Sequence, residues 1–167
     1  MKKVIMSIAV ACSAIVINAA TVTWQCTGNF LPGSTTERLN GAIAYLFIGD
    51  STDGIAESIL AGTFTGAGAL ADATTKSTGA VTKAGIGDYS IQDVSLYMVL
   101  FDAATITDAT HFKVSGVITQ TFGTSGNKTY NFTTNIAAKE WQAIPEPTSA
   151  MLLVLGVAAL ALRRKRV

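Results

Sequence analysis

Two short apolar segments sit at opposite ends of this chain, each with its basic residues on the outer side, and they fix how much of it is left to fold in water. At the amino end, Lys2 and Lys3 precede a nearly unbroken apolar run from Val4 to Ile17, and the small pair Ala19 and Ala20 follows. That order of basic, apolar and small residues is the order of a secretory signal peptide. The run of 14 residues falls short of the roughly 20 that a membrane-spanning helix needs. Cleavage after Ala19 or Ala20 is therefore expected, with the Sec translocon and signal peptidase as the first partners. A lipid anchor at Cys12 is disfavoured, because Ala9-Val10-Ala11 is a poor lipobox.

The carboxyl end reverses the order. Ile144, Pro145, Glu146 and Pro147 lead through Thr148-Ser149-Ala150 into an apolar stretch from Met151 to Leu162, whose bulky positions are Met151, Leu152, Leu153, Val154, Leu155, Leu160 and Leu162. Arg163, Arg164, Lys165 and Arg166 follow. Basic residues beyond an apolar stretch stay cytoplasmic, so the body of the chain would face outward. Counted from Thr148, the stretch is 15 residues, roughly 22 Å of helix against a hydrocarbon core of about 30 Å. It would hold the chain in the inner membrane marginally, either for good or until an enzyme removes it.

With the Pro-Glu-Pro triplet at 145–147, an apolar helix over Met151–Leu162 and the basic cluster Arg163–Arg166 in that order, the tail resembles the PEP-CTERM sorting signal. The resemblance covers residues 145–167 only. It implies a Gram-negative host, recognition by a membrane-embedded exosortase, a cut near Pro145 to Pro147, and delivery to the cell surface or an exopolysaccharide matrix. The competing reading is an ordinary tail anchor behind a proline-stiffened stalk. The chain thus divides into a signal peptide over 1–20, an extracellular domain over 21–144 and a sorting segment over 145–167.

The middle segment is large enough for one domain that buries about two-thirds of its unfolded surface. Setting aside the basic residues of both ends and Glu146 leaves 6 of the 12 Lys and Arg against 10 of the 11 Asp and Glu, a net charge of about −4. A mildly acidic domain makes a poor partner for nucleic acid, which needs a basic patch. Cys12 leaves with the signal, so Cys26 has no intramolecular partner and the fold must stand on its core alone. Its place in an alternating run favours a buried, small apolar role.

A period of two dominates the hydrophobic pattern, which predicts a mainly β domain, a single antiparallel sandwich of about seven short strands. Val22, Trp24 and Cys26 alternate with Thr23 and Gln25; Ala42–Ile48 and Leu96–Phe101 are continuous apolar runs that read as central strands. Phe112 and Val114 begin an alternation that continues past Gly116, a candidate bulge, to Ile118 and Phe122 on the same face. Across the Gly123–Asn127 turn, Tyr130, Phe132 and Thr134 complete an expected hairpin. Residues 61–87, built of Ala, Gly and Thr, specify strands weakly. One short helix is expected over Asp53–Ala61, with Asp53 as its cap, Ile59 and Leu60 buried and Gly62 at its end.

Little here carries chemistry. A triad hydrolase needs a general base, and the single histidine, His111, stands at a strand edge, where a solvated or capping role is the ordinary one. One His and one Cys cannot enclose zinc. Asp50, Asp53 and Glu57 crowd a loop where calcium could gather oxygen ligands, but their spacing is not that of an EF-hand, and capping with a solvated loop explains them more simply. Asp88 and Asp93 are a conceivable acid and base for a glycoside. Tyr89, Tyr97, Tyr130 and Trp141 are candidate sugar platforms, with Tyr97 and Tyr130 better placed for the core. The expectation is a non-enzymatic, structural or adhesive surface protein with no cofactor and no metal, exopolysaccharide being a candidate partner. Glycan binding is the alternative and a secreted hydrolase the third choice.

Overall fold

The computed structural model describes residues 20–89, 92–123 and 126–145. In chain order the elements are β1 (Ala20–Cys26), β2 (Ile43–Ile48), α1 (Ile55–Leu60), β3 (Ala71–Thr74), β4 (Val81–Tyr89), β5 (Asp93–Phe101), β6 (His111–Val114), β7 (Ile118–Thr121), β8 (Asn127–Asn131), α2 (Thr133–Ala137) and β9 (Gln142–Ala143). The mainly β expectation holds, with nine strands among the described residues where about seven were expected. The expected terminal helices lie outside the described residues. Among those described, no helix is long and apolar enough to cross a membrane.

Two sheets form. One has the order β4-β1-β8; the other runs β3-β2-β5-β6-β9, with β7 also on β5. Every pair is antiparallel except β1 with β8, which run parallel, Trp24 beside Tyr130. The first sheet is therefore mixed, a departure from the all-antiparallel expectation.

The sheets share a core. Val22, Trp24, Cys26, Val81, Ile86 and Tyr130 from the first meet Ala44, Leu46, Val94, Leu96, Met98 and Leu100 from the second. Tyr130 crosses this layer, its hydroxyl donating to the Val94 carbonyl at 2.6 Å. The open flanks are bridged by side chains: Lys83 Nζ donates to the Asp72 carbonyl at 2.9 Å, and Gln120 Nε2 to the Thr129 carbonyl at 2.7 Å.

The second sheet is buried on its other face as well. Phe47, Tyr97, Val99, Phe101 and Phe112 point away from the first sheet into a second cluster, covered by Ile59 of α1 and by Phe64. Phe47 stacks on Tyr97 at 5.3 Å, and Phe64 meets Tyr45, Phe47 and Phe101 at 5.7–6.1 Å. A strand covered on both faces has no polar side to alternate with, which is why β2 and β5 read as continuous apolar runs.

The hairpin expected across residues 123–127 does not form. β7 pairs with β5 in one sheet, and β8 joins β1 in the other. The reason lies at Gly116. Val99 faces Val114, but Leu96 faces Ile118, so four steps on one strand match three on the other. The extra residue is the expected bulge, and it turns the following side chains over. Phe112 and Val114 belong to the outer cluster, whereas Ile118 and Phe122 enter the layer between the sheets. That reversal carries the chain from one sheet to the other, so the expected common face for these residues is lost. Beyond β8, the alternation expected through Thr134 ends in α2, with Ile136 buried.

The same device shapes β4. Val22 faces Ile86 and Cys26 faces Val81, a four-step span against five, and a second slip separates Ile86 from Tyr89. Gly85 and Gly87 take φ of 69° and 64° at these slips, angles that a side chain would resist. A stretch that reads as weakly specified is a nine-residue strand with two irregularities.

The first helix also departs from expectation. It starts at Ile55, and Gly54, at φ 77°, occupies the capping position in place of Asp53, with no side chain capping it. Ile59 is buried, but Leu60 is 43% exposed. Gly62 does close the helix, its N–H bonded to the Ile59 carbonyl at 3.0 Å.

The bulge beside Gly116 would orphan a buried amide. Ser115, itself buried, prevents this: Met98 N–H donates to Ser115 Oγ at 2.8 Å, and the hydroxyl donates onward to the Gly116 carbonyl at 2.8 Å. Ser115→Ala leaves the Met98 N–H unpaired, so we expect a loss of about 1–3 kcal/mol, read as a lower denaturation midpoint at unchanged m-value. A midpoint equal to wild type would show that the hydroxyl is dispensable.

Candidate functional site at the carboxyl-terminal junction

The folded domain hands over to its tail at β9. This two-residue strand lies on the edge of the larger sheet, with Gln142 beside Phe112 and Ala143 beside His111. Ile144 extends the attachment, its N–H donating to the Thr110 carbonyl at 2.7 Å and its side chain packing on the outer cluster. On the other side of β9, Trp141 packs against the inter-sheet core, and Lys113 Nζ sits 5.0 Å from the centre of its ring. Pro145 is exposed. The chain therefore stays bound to the sheet until the residue before the Pro-Glu-Pro triplet.

A polar cluster holds the strand to which β9 attaches. Asp102 opens the connection out of β5, and its Oδ1 accepts from the N–H groups of Thr110 and His111 at 2.9 and 3.0 Å. Its Oδ2 accepts from Thr110 Oγ1 at 2.6 Å and lies 3.2 Å from His111 Nδ1. Burial alone would push the Asp102 carboxyl up, but the hydrogen bonds from Thr110 and His111 outweigh it and hold the group below the ordinary aspartate range. The residues lie at the two ends of the β5–β6 connection, so they meet only once that pairing exists.

A shallow cleft of about 240 Å³ lies next to this junction, lined by Thr52, Ala56, Val114, Ser115, Lys139, Glu140 and Gln142. Burial lowers the Lys113 ammonium, partly offset by the attraction of Glu140.

The residues singled out in the sequence fall as follows. Ala20 opens β1 and is buried; Ala19 lies outside the described residues. So do Glu146, Pro147, the apolar stretch from Met151 to Leu162, and Arg163 to Arg166. Asp50, Asp53 and Glu57 are all exposed, and among the described residues no three His, Cys, Asp or Glu side chains gather as metal ligands would. Asp88 and Asp93 sit on strands of different sheets, and Asp93 Oδ1 accepts from Thr121 Oγ1 at 2.6 Å. Tyr97 and Tyr130 are buried in the core. Cys26 is buried and free, with Asn29 Nδ2 at 3.4 Å from its sulfur, and burial pushes its thiol up, away from the reactive thiolate. Sequence reasoning missed Asp102 and Thr110. Their only signal is position, one just after and one just before strands that pair.

What the structure describes is a mainly β domain whose last strand among the described residues, β9, ends two residues before Pro145. Residues 143–166 match the family model of the PEP-CTERM protein-sorting motif. The motif implies an exported chain, directed to the cell surface and processed by an exosortase. No curated protein and no solved structure matches the chain.

The depressed carboxyl of Asp102 sets a sign. Its contribution to stability is present in full above the unfolded-state value of about 3.9 and is lost as the pH falls through the lower folded value. Asp102→Asn should therefore be less stable than wild type at pH 7, with the gap closing below about pH 4. Parallel urea titrations at both pH values check this, and a gap that persists in acid would remove the charge from the account.

Proposed function

We propose that this protein is a non-enzymatic component of the bacterial surface or exopolysaccharide matrix, delivered as a transiently membrane-held precursor and placed by exosortase processing. The observation that carries the reading is the junction: the matched motif begins at residue 143, inside β9, so a folded domain and a sorting signal share one strand. A structural or adhesive role agrees with the rest of the domain. Its one histidine is engaged with Asp102 and Thr110, and its largest aromatic residues are spent on two cores.

Intact mass of the protein recovered from the surface and medium of its host tests the placement. The expected species lacks both the residues before Ala20 or Thr21 and everything after the Pro-Glu-Pro region. A species that keeps Arg163 to Val167 would make the tail a plain anchor and end the exosortase reading.

One observation favours glycan binding as the second reading. Thr21, Thr23 and Gln25 of β1 stand beside Asn127, Thr129 and Asn131 of β8, on the side of the sheet away from its core. Asn127 and Thr23 are joined by a 2.6 Å hydrogen bond. Hydroxyls and amides without charge suit a neutral polysaccharide. Thr129→Lys together with Asn131→Lys should weaken retention on the host's exopolysaccharide severalfold in affinity electrophoresis. An equal fractional retardation by polysaccharide, each protein compared with its own mobility in its absence, would leave the structural role alone.

A further inference from the structure

We propose that β9 is a clasp that must leave β6 before the sorting segment can be cut. The inference rests on the exosortase reading and adds the state in which the chain is a substrate.

The sorting motif begins at residue 143, yet Ala143 is a paired strand residue and Ile144 gives its N–H to Thr110 and its side chain to the outer cluster. An enzyme that reads an extended substrate pairs with its backbone groups and accepts its side chains in turn. Ala143 is exposed, but Ile144 cannot offer its N–H or its side chain while the sheet holds them. With the clasp closed, Pro145 is the first residue free of the sheet, and it has no N–H to give. Nor is there slack to compensate, because Ile144, which makes the last backbone bond among the described residues, immediately precedes the triplet.

The clasp is built to open. It comprises two strand residues on a sheet edge, the least protected place in a β fold. Its removal leaves β6 paired with β5, and leaves the Asp102, Thr110 and His111 cluster in place, since that cluster draws nothing from β9. Opening can therefore be local, without unfolding of the domain.

The test follows precursor conversion by intact mass during a chase, using the full-length chain expressed with its exosortase. His111→Cys and Ala143→Cys, in a Cys26→Ala background, place a disulfide across register partners that flank the Ile144–Thr110 hydrogen bond. The oxidised form should be cut at least about tenfold more slowly than the same chain treated with dithiothreitol. Gln142→Pro changes a residue outside the matched motif and withholds an N–H from the ladder, so this chain should be cut faster than wild type. Equal rates for the oxidised and reduced forms, or a Gln142→Pro chain cut no faster than wild type, would overturn the clasp. A wild-type chain that is never cut would instead overturn the exosortase reading on which the clasp rests.

Discussion

The fold depends on burying one sheet on both faces. β2 and β5 lie between two apolar clusters, and each cluster exists only because the strands feed alternate side chains to both: Leu46, Leu96, Met98 and Leu100 one way, Phe47, Tyr97, Val99 and Phe101 the other. Apolar burial contributes roughly 25 cal/mol per Å², so side chains of this size carry most of what holds a domain without a disulfide. The first sheet closes one side of this slab through Trp24 and Tyr130; α1 and the Phe64 loop close the other. Loss of either cover would expose a row of aromatic and branched residues to water.

That double burial explains what could be seen in the sequence. A continuous apolar run is a strong mark, and β2 and β5 were legible from theirs; so was β1, from strict alternation. The rest was hidden by parity. A bulge adds one residue and reverses every later side chain; Gly116 marks the place, but the face that Ile118 serves is set by its register against β5. A hairpin across residues 123–127 follows from an unbroken period of two, and the bulge breaks that period. β4 hid for the same cause, since Val81 and Ile86 are an odd number of residues apart and share a face only through a slip. The parallel β1–β8 pair joins residues about a hundred positions apart, beyond the reach of any local pattern.

The site divides the same way. Its chemical identity lay in the order of triplet, apolar stretch and basic cluster, which is one-dimensional and needs no fold to be read. Its setting did not. That Asp102 would bind both Thr110 and His111 follows from β5 pairing with β6, and that Ile144 would be held by Thr110 follows from β9 joining the same edge. Proline and the amino acids around it mark where a strand must stop, since Pro145 cannot continue the ladder. They do not show that the strand before it belongs to the body of the domain.

A sorting signal and a fold place opposite demands on the residues they share. The fold gains by burying Ile144 and using its N–H; a processing enzyme gains by having both free. The structure reconciles these through size and position. A two-residue strand on a sheet edge adds little to the double-faced core, none of whose central members lies in β9, so releasing it sacrifices a small part of the stability. The polar cluster behind it matters for the complementary reason. Asp102 holds the backbone of Thr110 and His111 through bonds that draw nothing from β9, so the edge that receives β9 has support of its own. On the proposed clasp, a domain ending in a long central strand would have to unfold to be processed, whereas one ending in β9 would have only to release Gln142, Ala143 and Ile144.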